Sequence, residues 1–175
     1  MFGFFRKPKP IIANLVYNML VEHARHPVFY KDYNAADSLD GRFDMIIIHM
    51  TLILRRYQAE KDMEMVNEIQ NAFFKDMDRN LREMGIGDVS VPKKIKKMAE
   101  AYLGRTAAYN EPLNNNDKEA LSEALAKNVE AVQDKALNSE SLSLYCIEQE
   151  EYLNDISSND LSKGNFTMLP PNATK

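Results

Sequence analysis

"DGRFDMIIIHMTLILRRYQAE", residues 40–60, decides how the chain folds. Between Asp44 and Arg55 lie ten residues, Met45 to Leu54, in which only His49 and Thr51 interrupt the hydrocarbon. As a helix that run spans about 15 Å, whereas a bilayer core is about 30 Å thick and takes about 20 apolar residues. The run is too short to span. A helix that is apolar all round and cannot span a membrane has to be wrapped in protein. Residues of about 40–58, with Asp40 as the expected N-cap, are therefore predicted to form the central helix of an all-α domain. The other reading is that one side of this helix forms a groove for a partner.

The flanking sequence supplies the wrapping. Ile12, Leu15, Val16, Met19 and Leu20 recur at three- and four-residue steps and predict a helix over about 11–25. His26-Pro27 stops it, because proline biases the residue before it away from helix. Residues 27–39 read as a loop with aromatic anchors Phe29, Tyr30 and Tyr33. A third helix starts at Asp62, carries the stripe Val66, Ile69, Phe73, Met77, Leu81 and Met84, and ends at Gly85, a residue suited to a left-handed C-cap. A fourth starts near Ser90, with Pro92 in the allowed first turn, and reaches about Tyr109. Residues 110–118 read as a polar connector, followed by helices at about 117–132 and 139–155. This gives one helical domain of about six helices over 11–155. A flexible aromatic-basic stretch (1–10) precedes it, and a disordered tail rich in Ser, Asn, Gly and Pro (156–175) follows.

Composition narrows the class. The 175 residues suit one domain, and a single cysteine, Cys146, rules out an intrachain disulfide and points to a reducing compartment. Ten methionines and no tryptophan suggest an adaptable helix-packed interior. The net charge of −4 is unevenly spread: residues 1–110 hold 17 Lys and Arg against 14 Asp and Glu, and residues 111–175 hold 5 against 12. At the N-terminus Phe2, Phe4 and Phe5 precede Arg6 and Lys7. The order is wrong for a signal peptide, and suits an aromatic-basic foot on a membrane surface or partner.

Catalytic chemistry is hard to find. His23 and His26 sit three apart at a helix end, but a metal site needs more ligands; they read as exposed or capping residues. His49 reads as a satisfied core histidine rather than a haem ligand, and Cys146 as a buried apolar residue. Asp76 and Asp78, two apart on a helix, point in different directions. Gly85 and Gly87 lack the preceding strand and the GxxxxGK[ST] spacing of a phosphate loop. No cofactor motif is present. Lys93, Lys94, Lys96 and Lys97 suit either a solvated helix face or a surface for nucleic acid, a ribosome or anionic lipid. Base-reading Asn, Gln and Arg are missing from the start of that helix, which argues against DNA.

The stretch 73–111, "FFKDMDRNLREMGIGDVSVPKKIKKMAEAYLGRTAAYNE", taken with "GRFDMIIIHMTLILRRY" upstream, resembles the ubiquinol–cytochrome c chaperone family over about residues 10–130. The resemblance implies a non-enzymatic assembly factor for cytochrome b of ubiquinol–cytochrome c reductase. Mitochondrial relatives bind newly made cytochrome b, work with a small helical partner and associate with the ribosome near the nascent-chain exit. Asp76, Arg79, Arg82, Gly85, Lys93, Lys94 and Tyr109 match the family pattern, and Asn110 stands where Asp is expected. Without a visible transit segment, the chain reads as a cytoplasmic bacterial form that also touches the inner face of the membrane. Arg55, Arg56, Asp76, Arg79, Arg82, Lys93, Lys94, Lys97 and Tyr109 form the expected partner-binding set. A helical adaptor without chaperone activity is the alternative.

Overall fold

The computed structural model describes residues 7–172. Eight helical segments follow one another: α1 (Lys9–Ala24), α2 (Pro27–Lys31), α3 (Leu39–Ala59), α4 (Met63–Glu83), α5 (Val91–Asn114), α6 (Lys118–Asn128), α7 (Ser139–Asp155) and α8 (Ser158–Leu161). Six are long and two are single turns, and no strand occurs among the described residues, only one isolated bridge between Ala35 and Ala131. The all-α class is as the sequence predicts.

The apolar run lies where its composition puts it. Fifteen of the 21 residues of α3 are buried, covering every face of the helix from Phe43 to Leu54. Helices α1, α4, α5 and α7 pack around it, and α6 closes the gap between α5 and α7. No helix of the described residues is long and apolar enough to cross a membrane. The helix is capped by Ser38, whose Oγ accepts the Gly41 amide at 3.0 Å. Asp40 instead sits in the first turn, where its charge favours the helix dipole. His49 is satisfied inside the core: Nδ1–H donates to the Met45 carbonyl at 2.6 Å, and Nε2 accepts from the Tyr145 hydroxyl at 2.8 Å. His23 Nε2–H then donates to that hydroxyl at 2.9 Å.

Four further expectations are corrected. Residues 27–31 form a helical turn, because Pro27 at its first position costs no hydrogen bond and His26 Nδ1 caps it by accepting the Val28 amide at 3.4 Å. Helix α5 runs through Pro112 to Asn114 instead of ending near Tyr109, since Pro112 and Leu113 are buried and Asn110 and Asn114 accept bonds from Arg55 at 3.2 and 2.8 Å. Helix α6 stops at Asn128; beyond it Glu130 O accepts the Ala36 amide at 2.8 Å, and the Val132 amide donates to Asn34 O at 2.9 Å.

The fourth concerns the tail. Residues 156–172 are a strap laid across the body. Leu161 and Met168 are buried, Tyr57 OH donates to Leu161 O at 2.9 Å, and Tyr33 OH donates to Asn172 O at 2.8 Å. At the start, helix α1 already includes Lys9, which pairs with Asp62 at 2.6 Å and Glu64 at 2.9 Å. Phe2, Phe4, Phe5 and Arg6 lie outside the described residues; Lys7 is exposed just before α1.

Candidate functional site

Helix ends meet at one side of the fold to form an apolar groove. Its walls are the last turn of α1 (Ala24, with Arg25 beyond it), Tyr30 of α2, the first half of α3 (Leu39, Arg42, Phe43, Ile46), the last two turns of α4 (Met77, Asn80, Leu81, Glu83, Met84) and Met98 of α5. The stripe on α4 makes this possible. Its period carries apolar side chains to the last turn, past the point where α3 needs covering, so Met84 stays 55% exposed. Opposite it, Leu39 at the start of α3 is 56% exposed. Three of the ten methionines line the groove, and flexible thioether side chains reshape to fit varied apolar partners. The floor is rigid by comparison: Phe43 stacks on Phe73 with ring centroids 6.0 Å apart, and the Arg105 guanidinium lies 5.9 Å from the Phe43 ring centre. Tyr30, whose pKa burial raises to about 12, fixes the α1–α2 corner by donating to the Ala24 carbonyl at 2.8 Å.

The groove holds about 310 Å³. Ligand clefts run from about 300 to 1,000 Å³, so it accommodates a few apolar side chains projecting from a segment rather than a whole helix. Arg25, Arg42, Asn80 and Glu83 form a polar rim, and Arg42 is held by Asp37 at 2.7 Å. A roomier hollow of about 650 Å³ lies between α7 and the strap, but Asp155, Ser157, Asp160, Asn165 and Thr167 line it and it opens widely to solvent. Such a hollow suits water better than an apolar ligand.

The residues expected to bind a partner divide into two groups. Arg56 is buried, donating to the Leu153 and Ile156 carbonyls, both at 2.9 Å, and to Glu60 at 2.5 Å. Arg55 pairs with Glu150 at 2.5 Å and bridges to α5. Tyr109 is 2% exposed. The structure places all three inside the fold, the two arginines through their bonds between elements and Tyr109 through its burial. Asp76 is largely structural too, accepting from Tyr17 OH at 2.9 Å and pairing with Arg79. Burial and the nearby Asp76 raise the Tyr17 pKa, so the phenol keeps its proton and donates it.

The second group is open to solvent. Arg79 and Arg82 are exposed on α4; Arg82 pairs with Asp78 at 2.7 Å and also with Asp88 across the corner to α5. Gly85, with φ of +82°, makes that corner as its place after the apolar stripe predicts. Lys93, Lys94 and Lys97 are exposed on the first turns of α5. The structure thus brings Arg79, Arg82 and the three lysines to the end of the molecule where the groove lies. The contributions of Arg25, Leu39 and Arg42 escape sequence reasoning, because nothing in their local pattern says which helix ends meet.

Neither histidine pair nor acid cluster makes a chemical centre. His26 caps α2 and His23 bonds Tyr145, so the two diverge. Among the described residues no group of three or more His, Cys, Asp and Glu could hold a metal ion. Burial lifts the Cys146 thiol well above its ordinary pKa, which leaves it unreactive.

Residues 31–168 match the model of the ubiquinol-cytochrome C chaperone family. A crystal structure of the Cbp3 homolog from Brucella abortus is similar at a TM-score of 0.80 and 35% identity, over 91% of this chain and 89% of that one. No curated protein matches the chain. Three of the groove-forming elements, α3 to α5, fall within the matched span, whereas Ala24, Arg25 and Tyr30 precede it. The chain belongs to the ubiquinol–cytochrome c chaperone family.

Proposed function

We propose that this protein is an assembly factor for cytochrome b of ubiquinol–cytochrome c reductase, acting in the cytoplasm by binding its client and not by catalysis. The observation that carries the reading is the family match over 31–168 together with a groove whose three methionines, Met77, Met84 and Met98, lie inside that span. Cytochrome b is an apolar client whose helices need cover before insertion. A groove that takes a few side chains at a time can shield an apolar segment and release it, because each contact contributes little and no single one is buried deeply. The exposed Met84 and Leu39 offer the first apolar contacts, and the polar rim limits how much surface becomes sticky.

Deleting the gene in a respiring host and measuring cytochrome b in membranes tests this reading. Loss of cytochrome b and of ubiquinol–cytochrome c reductase activity, with the cytochrome b transcript unchanged, is the expected result. Complementation with Leu39→Glu plus Met84→Glu should fail although the variant accumulates, since both positions are exposed and neither supports the core. Normal cytochrome b under every respiratory condition would overturn the proposal and leave the adaptor reading in its place.

A further inference from the structure

The corner between α4 and α5 carries two properties that the groove does not use. From Gly87 to Ser90 the chain stands clear of the body, and Val89 is 96% exposed. Just after it, Lys93, Lys94 and Lys97 stand at helical spacing on one side of α5, while Val91, Ile95 and Met98 on the other side pack toward the body. Lys96 has Glu100 nearby at 3.9 Å; among the described residues, no ion pair holds the other three lysines. Residues 75–97 contain seven Lys and Arg against four Asp and Glu, in a chain whose remaining residues contain 15 against 22. The basic stretch is therefore a local feature of an otherwise acidic chain.

We propose that this corner is a peripheral docking site for an anionic bilayer, with Val89 in the headgroup layer and Lys93, Lys94 and Lys97 on the lipid phosphates. An exposed apolar side chain beside unpaired cations is the composition that suits an anionic interface, where apolar burial and charge attraction act together. RNA would draw on the lysines alone and leave the valine without a role, which is why the bilayer is favoured. Met84 both ends α4 and lines the groove, so docking through this corner sets the groove's mouth at the membrane surface. The proposal concerns where the protein sits, and a measurement made with no client present reads it separately from the client assignment.

The test is flotation of the full chain with vesicles of phosphatidylcholine containing phosphatidylglycerol, against phosphatidylcholine alone. Binding is expected only to the anionic vesicles and should weaken at high salt. Lys93→Glu, Lys94→Glu and Lys97→Glu together should reduce it by on the order of a hundredfold. Val89→Asp should reduce it several-fold with the lysines intact. All four side chains are exposed, so the urea midpoint of each variant should match that of the parent. A triple variant that floats like the parent overturns the proposal, as does a parent that ignores anionic vesicles. If the lysine changes abolish binding to single-stranded RNA while Val89→Asp leaves vesicle binding unchanged, the corner is a nucleic-acid surface and the proposal also fails.

Discussion

Replacing Arg56 by leucine separates a structural arginine from a client-binding one. Its guanidinium donates to the Leu153 carbonyl at the end of α7 and to the Ile156 carbonyl at the start of the strap, both at 2.9 Å. The side chain is 8% exposed, so water cannot readily replace the lost donors. Hydrogen bonds involving a charged group contribute about 1.5–3 kcal/mol each. The Leu153 carbonyl keeps a second partner in the Ile156 amide at 3.3 Å, and leucine recovers some apolar packing. A net loss of about 3 kcal/mol follows from the two bonds. For a chain of this size that corresponds to a fall in Tm of about 6–12 °C, or of about 1.5 M in urea midpoint at a slope near 2 kcal/mol/M. Equilibrium urea unfolding of the parent and of Arg56→Leu is the assay, with Lys93→Glu as an exposed control expected to stay within about 0.5 kcal/mol. A variant as stable as the parent, yet unable to restore cytochrome b, would refute the reasoning and return Arg56 to the binding surface.

Other perturbations probe the same core. Tyr145→Phe removes the hydroxyl that joins His23 to His49 and strands the fully buried His49 Nε2, at an expected cost of about 1–3 kcal/mol in urea unfolding. Gly41→Ala should cost more than the ordinary Gly-to-Ala gain in a helix, because a Cβ there would lie 2.0 Å from the Ala36 carbonyl oxygen; failure to lose stability would mean the α3 entry is looser than described. Acid should weaken the fold before ordinary carboxylates titrate. Burial lowers the pKa of His49 to about 3, so it stays neutral in the fold while the unfolded histidine gains a proton below about 6.5. Stability from this source is complete above pH of about 6.5 and by pH 5 has fallen by about 2 kcal/mol. His23, lowered to about 4 by burial and by His26, acts in the same direction with a smaller effect because it is partly hydrated. Asp44 acts oppositely: burial raises its carboxyl to about 6, so the fold takes up a proton there first and recovers about 1 kcal/mol by pH 5. Asp44→Asn should therefore steepen the loss between pH 6.5 and 5, and a stability flat across that window in both proteins would contradict the assigned protonation states.

Much of the architecture is legible because it rests on local rules. The ten-residue apolar run excludes a span by length alone and requires burial on all sides, and α3 meets that requirement from Phe43 to Leu54. The Asp62 cap, whose side chain accepts the Met65 amide at 3.2 Å, and the Gly85 corner follow from residue type and position. What escapes the sequence is decided by contacts between distant residues. Pro112 looks like a helix terminator until Arg55 reaches across to Asn110 and Asn114 and makes continuing the helix favourable. The strap looks disordered because it carries few apolar residues, yet three of its backbone carbonyls are claimed by buried donors of the body, Arg56, Tyr57 and Tyr33. Its order comes from hydrogen-bond donors that would otherwise be stranded, not from its own composition.

The same distinction sorts the candidate site. A charged residue beside an apolar helix reads identically whether its head reaches solvent or a carbonyl, since the choice depends on what the rest of the chain places within reach. Arg55 and Arg56 illustrate one outcome, and Lys93, Lys94 and Lys97 the other. For the lysines the sequence does carry a discriminating signal: Val91, Ile95 and Met98 fix the buried face of α5 and so leave the lysines on the faces outside it. For the arginines no such signal exists, because every face of α3 is apolar and amphipathic spacing assigns no outward side. A helix buried on all sides can hold arginine at its end only where partners are found, and here α5, α7 and the strap supply them. The most buried helix is thus the one whose charged C-terminal end binds the fold together, while its opposite end, at Leu39 and Arg42, stays open at the groove.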